Sequence, residues 1–305
     1  MIGFLVRRLG WMIITLWVVF TISFALMRSV PGGPLSSERA LEPEIEKNIR
    51  ARYHLDEPLM KQYLRELGNT LQGDLGYSFK LADFSVNEII AQGFPISATL
   101  GIVALGVALS IGLTAGIVSA IRRQSLIDVT LMSLATVGIA LPNFVVAGIL
   151  IILLVFLWPV FPAAGWGNLS QLVLPGFCLG VPDAAYVARL SRTGLLDVLS
   201  QDSIRTARAK GLRTPTVILR HALKGAMLPV VSFMGPAIAG ILTGSLVVEQ
   251  IFAIPGLGVH FIQAATQRDY TLAMGLVLLY TTLLYTMNLL VDVSYVYLDP
   301  RAKLE

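Results

Sequence analysis

Six long apolar segments dominate this sequence and restrict what it can fold into. A helix needs about 20 apolar residues to cross the hydrocarbon core of a bilayer. Six segments meet that length, at roughly 9–29, 95–121, 127–157, 172–190, 226–249 and 270–297. Because a backbone in lipid must satisfy its own hydrogen bonds, the sequence predicts an all-α integral membrane protein with six transmembrane helices. The low share of charged residues, 14%, agrees with that class.

Charged residues predict how these helices are oriented. Arg7 and Arg8 precede a first apolar segment that is too long for the core of a signal peptide and has no small-residue cleavage site after it. Residues 1–29 are therefore predicted to be a retained helix. Bases outnumber acids in the segments that this places inside, whereas acids outnumber bases in the outer segment 31–94. An even number of spans then places both termini, including the tail 301–305, in the cytoplasm.

Proline and glycine positions predict irregularities and close packing within the spans. Kinks are expected at Pro142, Pro175, Pro182 and Pro236. Close helix–helix approach is expected at three GxxxG pairs, which are Gly112–Gly116, Gly176–Gly180 and Gly240–Gly244.

The outer insertion, residues 30–94, is predicted to contain two short amphipathic helices. The first begins near Pro43 and places Ile45, Ile49 and Tyr53 on one face. The second ends near Gly73, and its apolar stripe consists of Leu59, Tyr63, Leu64, Leu67 and Leu71. Two such helices would form a lid on the outer mouth, and a solvated connector is the alternative.

The sequence lacks the motifs of several catalytic and cofactor-binding classes. It contains no GxxxxGK[ST] phosphate loop, no GxSxG and no HExxH. His54 and His260 are predicted outside the membrane and His221 inside, so no joint metal site is expected, and Cys178 is expected to be an inert core residue. No catalytic residue is assigned, no cofactor is expected on this chain, and the net charge of +4 is too small to favour nucleic acid as a partner.

The inner loop, residues 191–225, concentrates positive charge between two apolar segments. In DSIRTARAKGL, helical spacing places Ile204, Ala207 and Gly211 on one face, with Arg205, Arg208 and Lys210 at its flanks. Thr214 and Pro215 predict the cap and first turn of a second helix, whose apolar stripe consists of Leu219, Ala222 and Leu223. Such a helix suits the groove of an acidic protein partner. Anchoring to anionic lipid is the alternative, and the residues alone leave both open.

The same loop resembles the signature loop of ABC-importer permeases, with Gly211 and the Leu-Pro pair at 228–229 at the expected spacing. Where the general signature begins Glu-Ala-Ala, this chain has Thr206, Ala207 and Arg208. That departure is similar to the peptide and nickel branch, in which RTARAKGL is usual. The likeness covers nearly the whole chain and includes VPGGP, YHLDEPLMKQYLRELGNTLQGDLGYSFK, FPISATLG, EQIFAIPGLG, QRDY and DVSYVYLDPR. Within the branch, SERALEPEIEKNIRARYHL favours the oligopeptide type over the dipeptide type.

The resemblance implies a type I ABC importer permease fold, with a core domain at 95–300, in a bacterial inner membrane. It implies a subunit that forms the channel for oligopeptides and has four kinds of partner: a homologous second permease, two ABC ATPase subunits that bind ATP and Mg²⁺, an extracytoplasmic peptide-binding protein, and the lipid bilayer. The implied coupling helix, which would sit in the ATPase, comprises Ser203, Ile204, Arg205, Thr206, Ala207, Arg208, Lys210, Gly211 and Leu212. We expect Ala207 and Gly211 to give a close fit there, and Arg205, Arg208 and Lys210 to guide docking.

Residues for the transport path and the outer gate are expected on other segments. Asp183 and Glu249 are candidates for the path, because ionisable groups within spans are costly. Pairing of Asp183 with Arg189 or a neighbouring subunit is an alternative, as is a packing hydrogen bond for Glu249. Pro255, Gly256 and Gly258 are expected to shape an outer gate, because glycine permits tight turns, or alternatively a plain re-entrant turn.

Other functions remain open from the sequence. An importer of the same branch could carry dipeptides, glutathione or nickel, although the six predicted spans contain no histidine for a metal path. A stand-alone secondary transporter is the rival from another class, and an inverted internal repeat would favour it. The sequence shows no convincing repeat of that kind.

Overall fold

The computed structural model describes residues 2–29, 44, 47, 50, 51, 54–81 and 83–298. Within these residues the protein is all-helical, apart from an isolated bridge between Tyr77 and Ser85. The helices are α1 Ile2–Ser29, α2 Leu59–Leu71, α3 Val86–Ile121, α4 Leu126–Ala140, α5 Asn143–Ile151, α6 Leu169–Leu199, α7 Asp202–Ala209, α8 at 214–226, α9 Leu228–Leu242, α10 Leu246–Ile251, α11 Leu257–Gln267 and α12 Tyr270–Leu298. Helix α5 continues into a π-helical turn, Ile152–Leu157, and α8 is composite, with a π-helical turn in its middle: Thr214–Thr216, Val217–Ala222 and Leu223–Ala226.

Five spans of the described chain are long and apolar enough to cross a membrane, and a sixth is broken. Helix α4 and the segment formed by α5 and its π-helical turn meet at 107°. The break lies at Leu141 and Pro142, which both have extended backbone. Proline has no amide hydrogen to donate and disfavours helical backbone at the residue before it. The kink predicted at Pro142 is therefore a sharp break of the span 127–157, whereas Pro175, Pro182 and Pro236 lie within helices that continue past them.

Two of the three GxxxG pairs join α3 and α6 in parallel. Gly176 and Gly180 of α6 lie against residues 103–107 of α3, and Gly112 and Gly116 of α3 lie against residues 184–192 of α6. A β-carbon at Gly112 would lie 2.6 Å from the carbonyl oxygen of Ala184, which leaves no room for a side chain. These two packing predictions are confirmed.

The third pair has another role. A β-carbon at Gly240 would meet no atom within 4 Å, and Gly244 has φ +92 in the turn between α9 and α10. The packing prediction is therefore wrong at Gly240, whereas a β-carbon at Gly244 would collide with a Glu249 oxygen and lie 2.9 Å from the Ser97 oxygen of α3. At Gly244 glycine is required by the backbone, because other residues rarely adopt positive φ.

The parallel packing of α3 and α6 decides how the chain crosses the bilayer. Both helices run toward the same face of the membrane, so the connection between them has to return across it. Helices α4 and α5 together make that return and supply the sixth crossing. Helix α12 runs antiparallel to α1, with Arg8 paired to Asp292 at 2.6 Å and Thr15 bonded to Tyr285 at 2.6 Å. The start of α1, the end of α12 and the loop after α6 therefore lie at one face.

The outer insertion packs through α2 onto α1. The Tyr63 ring lies 5.6 Å from the Phe20 ring and 5.4 Å from the Phe24 ring, and its hydroxyl bonds Thr21 at 2.9 Å. Arg28 of α1 donates to Glu66 at 2.9 Å. The predicted apolar stripe is therefore only partly right, because Leu67 packs beside Tyr63 while Leu59, Leu64 and Leu71 are exposed. The first predicted outer helix, with Pro43, Ile45, Ile49 and Tyr53, lies outside the described residues apart from a few positions.

The end of the insertion is tied to the start of α12. The buried Asp269 carboxylate accepts hydrogen bonds from the Ser78 hydroxyl, from the Phe79 amide at 3.1 Å and from the Leu272 amide at 3.2 Å. Asp269 thus caps α12 and holds the insertion against it. Helix α3 begins at Val86, well before the predicted residue 95, because Ser85 and Glu88 form a capping box there.

Candidate functional site

The inner loop folds into a helical hairpin that rests on the end of α6. Ile204 and Ala207 of α7 are 1% and 6% exposed, and they pack in one cluster with Leu195 of α6 and with Val217 and Ala222 of α8. The apolar face predicted for α7 is therefore present, but its small and apolar side chains are covered by this subunit itself. Ala207 and Ile204 thus pack inside this subunit, and the close fit of Ala207 to a partner stays a prediction.

Gly211 ends α7 through its backbone rather than through close contact. Its φ is +77, and a β-carbon at this position would meet no atom within 4 Å. Glycine is favoured here because it adopts the left-handed conformation at low cost, as is usual just after a helix. The expectation of a close fit at Gly211 thus finds no support in the packing of this subunit.

The other residues of the predicted coupling helix form an exposed surface. We call the exposed cations of this hairpin the basic surface, and they are Arg205, Arg208, Lys210, Arg213, Arg220 and Lys224. Ser203, Thr206 and Leu212 are exposed beside them. The predicted apolar stripe of the second helix is exposed at Leu219, which is 68% exposed, and buried within this subunit at Ala222. That helix begins at Thr214 itself, so Arg213 rather than Thr214 occupies the capping position.

Charge on the basic surface is almost uncompensated. Arg205 lies 3.3 Å from Asp202, and both side chains are largely exposed. Among the described residues, the other five cations of the basic surface form no ion pair. An exposed cationic and partly apolar surface is suited to an acidic protein partner, because opposite charges steer the encounter and exclude wrong partners.

At the opposite face, Glu249 organises the turn that was expected to form an outer gate. Its side chain is 0% exposed. One carboxylate oxygen accepts from the Ser97 hydroxyl at 2.7 Å, and the other accepts from the Gly258 amide at 2.8 Å. The Ser97 oxygen in turn accepts from the Leu257 amide at 2.8 Å. Glu249 is thus an internal anchor that joins α10, α3 and α11, and in this conformation it does not line an open path.

The glycines of IPGLG are needed for space rather than for unusual backbone. A β-carbon at Gly256 would lie 2.5 Å from one Glu249 oxygen and 2.5 Å from the Ser97 oxygen, and one at Gly258 would lie 2.8 Å from Glu249. Gly256 has extended backbone, with φ −96 and ψ −177, which any residue can adopt. The expected reason for these glycines, a tight turn, is therefore wrong. Pro255 is exposed at the tip of the turn.

Along α6 the structure pairs different charges from those expected. Asp183 is partly exposed and forms no ion pair with Arg189 among the described residues. Six positions separate the two along α6, which turns their side chains well apart. The pair that does form joins Arg192 of α6 to Asp128 of α4, with Nε–Oδ1 and Nη2–Oδ2 distances of 2.8 Å each. Ser119 also donates to Asp128, so this carboxylate joins α3, α4 and α6.

Metal and thiol chemistry find no site in the part of the chain that the structure describes. No group of three or more His, Cys, Asp or Glu side chains there could hold a metal ion. Cys178 is fully buried in the cluster between α3 and α6, as expected for a packing residue.

The comparison with known protein families assigns the chain. Residues 112–304 match the family described as "Binding-protein-dependent transport system inner membrane component". Residues 1–101 match a second family, "Binding-prot-dependent transport system membrane comp, N-term". The chain belongs to the family of binding-protein-dependent transport system inner membrane components. The resemblance seen in the sequence is thereby confirmed.

Close relatives in this family carry peptide transport names. The "Oligopeptide transport system permease protein OppB" of Escherichia coli K12 is 44% identical over 305 residues, which cover 99% of this chain and 100% of the relative. The protein of the same name from Haemophilus influenzae is 43% identical with the same coverage. The "Dipeptide transport system permease protein DppB" of Bacillus subtilis 168 is 43% identical and covers 100% of this chain and 99% of the relative.

Solved structures confirm the fold of an ABC importer permease. An inward-facing MetNI methionine ABC transporter matches with a TM-score of 0.59 at 17% identity, and the match covers 69% of this chain and 96% of that chain. An amino acid ABC transporter matches with a TM-score of 0.51 at 19% identity, covering 68% and 93%. The predicted all-helical type I permease fold is therefore correct for this family member.

Proposed function

We propose that this family member forms the channel of an ATP-driven importer of oligopeptides and converts the work of partner ATPases into movement of its spans. The basic surface carries this proposal, because it presents six cations and the exposed Leu219 with a single compensating acid among the described residues. The names of the oligopeptide relatives support the choice of cargo.

The loop that bears the basic surface is well placed to move the spans. Ala226 of α8 lies directly against Gly194 of α6, and α6 continues without interruption from Leu199 to Leu169. Helix α3 is packed against α6 through glycines on both helices. A push on the hairpin would therefore move α6 and α3 together, which is the rigid-body type of transition that packed helices support.

The proposal includes the partners and the orientation. Two ABC ATPase subunits would bind ATP and Mg²⁺ and receive the basic surface, and a homologous second permease would complete the channel. An extracytoplasmic binding protein would deliver the peptide to the face that bears α2. The basic surface then lies in the cytoplasm of a bacterium, together with both termini, in agreement with the excess of bases at that face.

Charge reversal on the basic surface tests the proposal. The double variant Arg205→Glu/Arg208→Glu should lower co-purification of the ATPase subunits and ATP-driven peptide uptake in proteoliposomes by about tenfold or more, because it removes charge complementarity. The matched control is the double variant Arg122→Glu/Arg123→Glu, at two exposed bases between α3 and α4 and outside the hairpin, and it should leave both measurements within about twofold. Full uptake by the double variant would contradict the coupling role.

A dipeptide importer is the second candidate, because the dipeptide relative from Bacillus subtilis is as similar to this chain as the oligopeptide relatives are. Uptake of labelled tetrapeptide in competition with unlabelled dipeptide, glutathione or Ni²⁺ separates the cargo classes. Peptide uptake without any ATPase subunit would instead identify a secondary transporter.

A further inference from the structure

Helix α6 carries two arginines one turn apart that have opposite surroundings. Arg192 is held by Asp128 through two hydrogen bonds of 2.8 Å. Arg189 is exposed and forms no ion pair among the described residues. Because Asp128 is engaged by Arg192, it does not compensate the charge of Arg189.

Arg189 lies in an open groove of about 450 Å³ between α4 and α6. Hydroxyl groups face this groove from both helices, with Ser133 and Thr136 on α4 and Thr193 on α6. Thr136 donates to the Met132 carbonyl within its own helix, whereas no hydrogen bond within the described chain engages the Ser133 or Thr193 hydroxyl. Arg192 and Asp128 also line the groove, but they are paired with each other. The groove thus brings the unpaired guanidinium group of Arg189 together with hydroxyl groups that can donate to a carboxylate.

The charge of Arg189 indicates that the groove does not face lipid. The residue lies at the inner end of the predicted span 172–190, just before the part of α6 that packs against the inner loop. An arginine that faces hydrocarbon costs roughly 3 kcal/mol or more, so such residues face water or protein. Small side chains of Ala135, Ala185 and Ala188 pack α4 closely against α6.

We propose that this groove receives the C-terminal carboxylate of the peptide during its passage, which rests on the proposed function above. A free carboxylate at the C-terminus is common to unmodified peptides whatever their side chains, so one arginine with hydroxyl donors recognises cargo of many sequences. The planar guanidinium group suits a carboxylate because it offers two parallel hydrogen bonds. The contact is reversible, because the groove is open and Arg189 remains in contact with water.

Matched peptides with a free and an amidated C-terminus test this contact. In proteoliposomes that contain the full transporter, Arg189→Gln should lower ATP-driven uptake of a free tetrapeptide about tenfold, and uptake of its C-terminal amide less than about twofold. Each rate is divided by the wild-type rate for the same peptide, so the preference of the binding protein cancels. Arg189→Lys should restore most of the uptake, and Ser133→Ala should show a smaller loss that is again confined to the free peptide.

The control is Arg192→Gln, which leaves the Asp128 carboxylate without its partner. It should lower the thermal stability of the complex and affect both peptides equally. If Arg189→Gln also slows both peptides equally and weakens assembly, Arg189 pairs with the second permease and the proposal is wrong. Unchanged uptake of both peptides would likewise overturn it. Absence of ATP-driven uptake by the wild-type complex for either peptide would instead refute the proposed function.

Discussion

Two groups of charged side chains, at opposite ends of the membrane domain, have opposite surroundings. At the outer end, the carboxylates of Glu249 and Asp269 are buried and accept hydrogen bonds from neighbouring hydroxyl and amide groups. At the inner end, the cations of the basic surface are exposed, and Arg205 alone among them has an acidic neighbour among the described residues. These two outer carboxylates hold the subunit together, whereas the cations of the basic surface are free to meet another protein.

This difference separates residues that determine stability from residues that determine binding. A buried carboxylate with several donors is costly to remove, because the donors lose their partner in a place that water does not reach. Removing an exposed cation costs little stability, because water solvates the charge and any ion pair that it forms there is weak. The same kind of substitution should therefore have different consequences at the two ends.

The largest effect is expected from Glu249→Ala. The substitution leaves the Ser97 hydroxyl and the Gly258 amide without an acceptor in a buried site. We expect a loss of about 3 kcal/mol or more in the free energy of unfolding. Thermal unfolding of the purified chain in detergent measures it.

Glu249→Gln serves as the control for that substitution. It keeps the size of the side chain and one acceptor oxygen, so it should cost less than Glu249→Ala. If both variants unfold at the wild-type temperature, the outer anchor does not stabilise the subunit and the comparison between the two ends fails.

An intermediate effect is expected from removing acids at two helix starts. Asp269 caps α12 in a buried site, and Asp202 occupies the first turn of α7 in an exposed one. Asp269→Ala should cost about 2 kcal/mol in the free energy of unfolding, and Asp202→Ala a few tenths. The same unfolding measurement compares them, and equal losses would show that burial is not the cause of the difference.

The smallest effect on stability is expected from Arg208→Ala. The free energy of unfolding should stay within about 0.5 kcal/mol of the wild-type value, because the side chain is exposed and has no ion-pair partner among the described residues. Binding of the ATPase subunits should nevertheless weaken, as measured by co-purification. A large loss of stability would show that Arg208 has an internal role.

The sequence predicted the membrane class and most of the helices, because long apolar segments and local periodicity carry that information. The break at Leu141 and Pro142 was also signalled by its proline, but a proline alone does not distinguish a kink from a turn of 107°. Pro175 and Pro182 show the same ambiguity, because they are also prolines in an apolar segment and yet α6 continues through both.

The candidate site could be predicted only in part. Periodicity identified the apolar face of α7, but it does not tell whether that face packs against this subunit or against a partner. The pairs that join Asp128 to Arg192 and Glu249 to Ser97 link residues far apart in the chain. A single sequence contains no signal for such pairs. The exposed positions of Arg205, Arg208 and Lys210 followed correctly from the pattern.

The glycine contacts between α3 and α6 also limit where the protein can bend. With no side chain between the two backbones at Gly112 and Gly180, neither helix can slide along the other without a collision. The two helices thus form one rigid unit, and the remaining spans move relative to it. Bending during a transport cycle has to occur at joints outside this unit, and the interruption at Pro142 is one of them.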